Sequence, residues 1–351
     1  MSKKHFSWLL ASTLLVSILI LLMPGRTGKE SEFVARPLFP GLDATVNDVT
    51  RVRIIGSGNA TVATLVRGED AWTVEEAQSY PADWARLRKL LFGLAQAQVI
   101  ELKTSNPDYY DRLGLKDVSD PSSTAVLVEI GEGDPPIRVL LGSIAQGREG
   151  QYVRFPDDGQ AMLIDRSVEA SNQAADWLLR DVIDLAEAEV VDVTITQPDG
   201  ETVRVSRASA DVTDFTLDDI PKGREVESSW AVNALGGSLA AVLLEEVAPV
   251  DRVDWSNATR LRVLTADGVE ARAEVVTVDG KSWLKLEAFP YPEQKTEPVE
   301  GATMDSAAAD QLKRIEGINQ RVRGWAYSIP EFKAELMSKR TDDLLKPLAK
   351  K

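Results

Sequence analysis

The chain has 351 residues, no cysteine and a single histidine, with 40 Lys and Arg against 55 Asp and Glu for a net charge of −15. Without cysteine there is no disulfide staple and no thiol chemistry. The lone histidine, His5, stands ahead of the first hydrophobic run, so catalytic triads, Cys-His pairs and His-ligated zinc are excluded beyond it.

Residues 6–23 form an uncharged, Leu/Ile/Val-rich run. As a helix, about 18 residues rise roughly 27 Å, close to the ~30 Å hydrocarbon core of a bilayer. Secretory h-regions are shorter, about 7–15 residues. The following LLMPGRTGKES offers no small-residue cleavage site, so an uncleaved anchor is the expectation and a cleaved leader the alternative. Lys3 and Lys4 precede the run, which predicts a short cytoplasmic tail (1–5) and a periplasmic bulk at a bacterial inner membrane. Residues 1–29 contribute four basic and no acidic residues, leaving 36 against 55, or −19, from residue 30 onward. That balance argues against nucleic acid and against lying flat on anionic lipid. Residues 24–41 read as a polar linker bearing Pro and Gly.

Past the linker the chain reads as an internal repeat. Val49, Val52, Ile54 and Val62 match Val190, Val193, Ile195 and Val203 at one constant offset. Each copy begins with alternating strands around a tight turn, GSGN in one and QPDG in the other. A helix is expected next. In 81–102, Trp84, Leu87, Leu91 and Leu94 make one apolar face, with Asp83 at the positive end; in 228–247, Trp230, Leu235, Leu239 and Leu243 do the same, with Ser228 or Ser229 as N-cap. Strands then return in both copies, punctuated by PDDG, ADG and VDG turns. The fold class is α+β: two tandem β-rich units, 42–180 and 181–300, each an antiparallel or mixed sheet with a packed helix. A short helical connector is expected over 176–189. The tail, 301–351, reads as helical and broken at Gly324 and Pro330; Ala308, Leu312, Ile315 and Ile318 share a face that caps the second sheet.

Four features together, the N-terminal anchor, NDVTRVRI followed by a Trp-bearing strand, PADWARLRKLLFGLAQAQV, and RGWAYSIPEFKAELMSKRTDDLLK, resemble the bacterial domain-of-unknown-function 4340 family over about 42–346. The resemblance implies an envelope protein working beside an ABC-2, gliding-motility-type transporter. It transfers no catalytic residue.

Candidate sites are weak. Gly56-x-Gly58 lacks the third glycine and the following helix of a nucleotide loop, and reads as a hairpin turn. The acidic pairs Asp157–Asp158, Asp218–Asp219 and Asp342–Asp343 lack calcium-loop spacing and read as turns and solvated faces. Trp72, Trp84, Trp230 and Trp283 recur at matching places and could stack on sugar, but the repetition favours core positions. The expectation is therefore no catalytic, cofactor or metal site. The chain reads as a non-enzymatic accessory or interaction protein whose partner is a transporter permease or another envelope protein. The alternative is a glycan- or peptide-binding module with a cleft between the repeats.

Overall fold

The computed structural model describes residues 33–69, 71–133, 135–291 and 306–347. The predicted anchor, the 1–5 tail with His5, and linker residues 24–32 lie outside them. Among the described residues no helix is long and apolar enough to cross a membrane.

The first part of the chain contributes β1 (Arg36–Pro37), α1 (Leu42–Thr45), β2 (Arg51–Ile55), β3 (Thr61–Arg67), β4 (Trp72–Val74), β5 (Tyr80–Pro81), α2 (Trp84–Gln96), β6 (Gln98–Leu102), β7 (Val126–Ile130), β8 (Ile137–Ile144), β9 (Gln151–Arg154) and β10 (Ala161–Ile164). These strands form one antiparallel sheet in the order β1-β6-β10-β9-β8-β7-β2-β3-β4-β5. Alternation sets the faces. In β2, Val52 and Ile54 are fully buried, while Arg51 and Arg53 point outward to Glu75 and Glu129. The GSGN turn sits between β2 and β3, with Gly58 and Asn59 at positive φ.

A connector, β11 (Asp181–Ile183), leads to β12 (Val190–Thr196), β13 (Thr202–Ser206), β14 (Thr216–Leu217), α3 (Ser229–Asn233), β15 (Val242–Leu243), β16 (Glu246–Pro249), β17 (Thr259–Thr265), β18 (Val269–Val278), β19 (Lys281–Pro290), α4 (Ser306–Val322), β20 (Trp325–Ile329) and α5 (Glu331–Met337). The second antiparallel sheet runs β14-β13-β12-β17-β18-β19-β20-β16, and β11 pairs with β15 apart from it. Apart from β1 and β5 at its two ends, the first sheet has the same order: β4-β3-β2-β7-β8-β9-β10-β6. Val193 and Ile195 are buried in β12 as Val52 and Ile54 are in β2.

Three expectations are corrected. The helix expected over 228–247 is α-helical only in α3. Ser228 caps it, accepting from the Ala231 N–H at 3.2 Å. It then tightens to a 3₁₀ turn at Ala234–Gly237, where a Cβ on Gly236 would lie 2.6 Å from the Phe215 ring. The two glycines weaken the helix and allow that close approach, and the chain continues as strands. The connector over 176–189 is not helical. Val182 and Ile183 are both buried, and β11 takes a strand partner, with 3₁₀ turns on either side. The tail is not wholly helical either, because β20 is an interior strand whose Ala326, Tyr327, Ser328 and Ile329 are all buried.

Two long helices are present, but the one expected over 81–102 spans only Trp84–Gln96, because Pro81 pairs in β5 and 98–102 pair with β1 and β10 as β6. In α2, Asp83 accepts from the Arg86 N–H at 3.0 Å as N-cap, and Leu87, Leu90, Leu91 and Leu94 are buried. In α4, Ile315, Ile318 and Val322 are buried. Its Asn319 amide bonds both the N–H and the C=O of Ala288, each at 2.8 Å. That side chain replaces the strand partner β19 lacks there.

One hydrophobic core runs through both sheets. At their junction the Tyr80 ring meets Trp325 edge-on at 5.1 Å and Tyr327 at 6.1 Å. The Tyr80 hydroxyl donates to Leu179 O at 3.0 Å, and the Leu179 N–H donates to Pro81 O at 2.9 Å.

Candidate functional site

The inner face of each sheet is core; the outer faces differ. In the first unit, residues 103–125 between β6 and β7 fold over the outer face. They lay Tyr110, Leu115 and Val118 onto Ile55, Leu127, Leu140 and Ala161. The fit is close: a Cβ on Gly142 would lie 2.4 Å from Leu113 O. Arg154 is trapped beneath, 5% exposed, with its guanidinium 4.6 Å from the Tyr110 ring centre. It donates to loop and turn carbonyls, including Leu115 O at 3.5 Å and Pro156 O at 3.3 Å.

In the second unit the corresponding connection, between β16 and β17, is residues 250–258, nine residues against twenty-three. It stays at the rim, fastened by Trp255 Nε1 donating to Val250 O at 2.9 Å. The outer face is left as an open groove of about 600 Å³ across β12, β17, β18 and β19, with Val250 and Val322–Trp325 also lining it.

Register puts outward side chains in rows, with Thr194, Arg262, Arg272 and Glu287 successive cross-strand neighbours. Two buried carboxylates hold the cations in place. Asp192 accepts from Arg204 at 2.7 Å and Arg262 at 3.1 Å. Glu270 accepts from Arg262 at 2.9 Å and Arg272 at 2.6 Å. Burial pushes the Glu270 carboxyl up, but the bonds and charges of Arg262 and Arg272 outweigh it and hold it below the usual carboxylate range. Aromatic rings back the cations: Arg272 lies 4.3 Å from Phe289, Arg262 5.2 Å from Tyr291, and Lys285 4.6 Å from Trp255. Arg260, also in the groove, is exposed and has no ion pair among the described residues. Chemically the arrangement offers N–H donors fixed on a sheet, with apolar ground between them.

The sequence-flagged residues are scattered. Gly56 and Gly58 sit in the β2–β3 hairpin. Asp157 pairs with Arg138, Asp158 accepts from the Gln160 N–H, Asp342 pairs with Arg224, and Asp343 accepts from the Arg340 N–H. Only Asp218 joins the groove's charge ladder, through Arg204 at 3.2 Å; Asp219 occupies a turn at positive φ. Among the described residues no group of three or more metal-type ligands comes together. Core placement holds for Trp72 (8% exposed) but not for Trp84 (47%) or Trp230 (78%); Trp283 is half-buried. Trp84 stacks on Trp72, centres 6.1 Å apart and planes 12° from parallel, beside a second cavity of about 760 Å³. Nothing in the sequence marks the groove cations, because TRLRV and VEARAEV read as ordinary strand alternation. The available signal was the shortness of the connection that leaves them uncovered.

Fold and site thus define a cysteine-free α+β protein of two like-ordered antiparallel sheets, one with a covered outer face and one with an open, charge-paired groove. The chain belongs to the family described as domain of unknown function (DUF4340), whose pattern matches residues 72–262, from the start of β4 into β17. No curated protein and no solved structure matches the chain.

Proposed function

We propose that this chain is a membrane-anchored, extracytoplasmic, non-enzymatic accessory or interaction protein of an ABC-2, gliding-motility-type transporter system. Residues 6–23 tether it to the bacterial inner membrane, with 1–5 cytoplasmic and the bulk periplasmic. Residues 24–32 reach at most ~30 Å, so the folded body works close to the bilayer and to a permease within it. The observation that carries an interaction role is the open groove of the second unit. The same face of the first unit is covered by a polypeptide loop whose carbonyls accept from a buried arginine. In the second unit, among the described residues, no loop crosses this face and Arg260, Arg262 and Arg272 line it instead, so a segment of a partner protein is the natural complement. The shared strand order also supports reading the two units as copies of one ancestral unit. The aromatic packing of Tyr80, Trp325 and Tyr327 weighs against a ligand cleft between the units, the second reading drawn from the sequence.

The test is affinity purification of the full chain from its native membranes. A permease or ATPase subunit of an ABC transporter co-purifies with the wild type and is reduced several-fold with Arg260→Glu. Recovery of the intact chain with no transporter subunit overturns the proposal.

A further inference from the structure

We propose that the cleft between α2 and the β3–β4 turn binds a neutral saccharide, one pyranose ring stacking on Trp84. The cleft, about 760 Å³, is of ligand size and lies in the first unit, away from the groove. Trp84, Arg88 and Phe92 follow one another at helical spacing along its α2 wall. Trp84 and Phe92 are 47% and 40% exposed, so two large rings remain in water where α2 buries its leucines on the other side. Trp72, itself buried, stacks beneath Trp84 and fixes its orientation, which makes the indole a preformed platform.

The rim decides the occupant. Among the described residues it carries two cations, Arg67 and Arg88, and two anions, Glu69 and Asp83. Asp83 spends Oδ1 on capping Arg86; its other oxygen, Glu69 and Arg88 make no hydrogen bond or ion pair among the described residues. An apolar side chain seated here would cover these charged groups without pairing them. Sugar hydroxyls both donate and accept, and so satisfy both signs, while the C–H face of the ring lies on the indole. A polyanionic glycan is disfavoured, because the described rim residues carry no excess of cations and the chain is strongly acidic.

The experiment is isothermal titration of the full chain, in a detergent without a sugar head group, with three probes: cellotriose, the N-acetylglucosamine trimer, and a Leu-rich neutral peptide. We expect at least one trisaccharide to bind with a millimolar or tighter Kd. Trp84→Ala weakens it about tenfold or more, and Trp230→Ala, which removes a more exposed indole outside the cleft, leaves it unchanged. Unchanged circular dichroism of both variants excludes unfolding as the cause. No trisaccharide binding up to about 10 mM, equal binding by Trp84→Ala, or binding of the peptide alone overturns the assignment. Transporter co-purification is read separately and with Trp84→Ala intact, so the two proposals fail independently.

Discussion

Tyr80 is where the two units are held together, and its removal has a calculable cost. The side chain is 2% exposed, meets two rings of β20 edge-on, and donates to Leu179 O. Tyr80→Phe keeps the ring contacts and leaves the Leu179 carbonyl without this donor, a loss of about 1–2 kcal/mol. Tyr80→Ala also empties the ring site. Large-to-small aromatic changes in cores cost about 3–5 kcal/mol, and the two ring pairs place this one toward the upper end. At about 2 °C per kcal/mol for a folded body of this size, the alanine variant should melt roughly 8–10 °C lower. Because one core runs through both sheets, the wild type should unfold in urea as a single transition by fluorescence and far-UV dichroism. Tyr80→Ala should lower the midpoint or split the curve. A cycle with Trp325→Ala should give a coupling of about 0.5–1.5 kcal/mol. A Tyr80→Ala variant within about 1 kcal/mol of wild type, with an unchanged melt, would show that the junction rings do not hold the units together.

Burial and the neighbouring Tyr80 phenol push the Tyr327 hydroxyl far above the ordinary tyrosine range, and burial raises Tyr80 as well. The folded forms therefore stay neutral where the unfolded chain ionises, so stability is intact below about pH 10 and falls as pH rises above it. Tyr327→Phe, at some loss near neutrality because its hydroxyl bonds Arg321 O at 3.0 Å, should flatten that alkaline decline in urea melts at pH 8 and pH 11; an equally steep decline refutes the assignment. Two glycine-to-alanine changes should have opposite signs. Gly317→Ala, inside α4 with nothing within 4 Å of its Cβ site, should raise stability by about 0.5–1 kcal/mol. Gly236→Ala, which drives a Cβ to 2.6 Å from Phe215, should lower it by about 1–3 kcal/mol; melting temperatures moving in the same direction would contradict the packing argument.

Much of the fold is legible where local pattern and tertiary environment agree. Val193 and Ile195 alternate with outward Asp192 and Thr194, and the strand is there. Asp83 stands before an apolar helical stripe, and it is the cap. Legibility fails where a long-range partner overrides a local tendency. Residues 238–247 have helical spacing, but β11 and β20 arrive from distant sequence to pair with them, and strands win. Trp84 has the spacing of a core residue, yet at the first turn of α2 its ring lies over Trp72 and one face stays in solvent. The groove was hidden for a similar reason. Arg262, Arg272 and Glu270 converge only through strand register, and nothing local distinguishes a solvated alternation from an organised one.

Connection length accounts for the difference between the two outer faces. Twenty-three residues after β6 are enough to cross the sheet, turn and return; nine after β16 are not. Side-chain chemistry follows from that. Under the long loop, β2, β7 and β8 present Ile55, Leu127 and Leu140. In the second sheet the matching row, paired the same way on β12, β17 and β18, is Thr196, Arg260 and Glu274. A face open to water needs only polar residues to be soluble. It does not need two carboxylates, 7% and 5% exposed at the side chain, each held by two arginines, or rings set behind the cations. Those features fix donor positions ahead of any contact and reduce the ordering a partner would otherwise have to impose. Pairing already neutralises most of the charge, so a partner gains chiefly from shape and hydrogen bonds. Association there should be reversible and only moderately sensitive to salt.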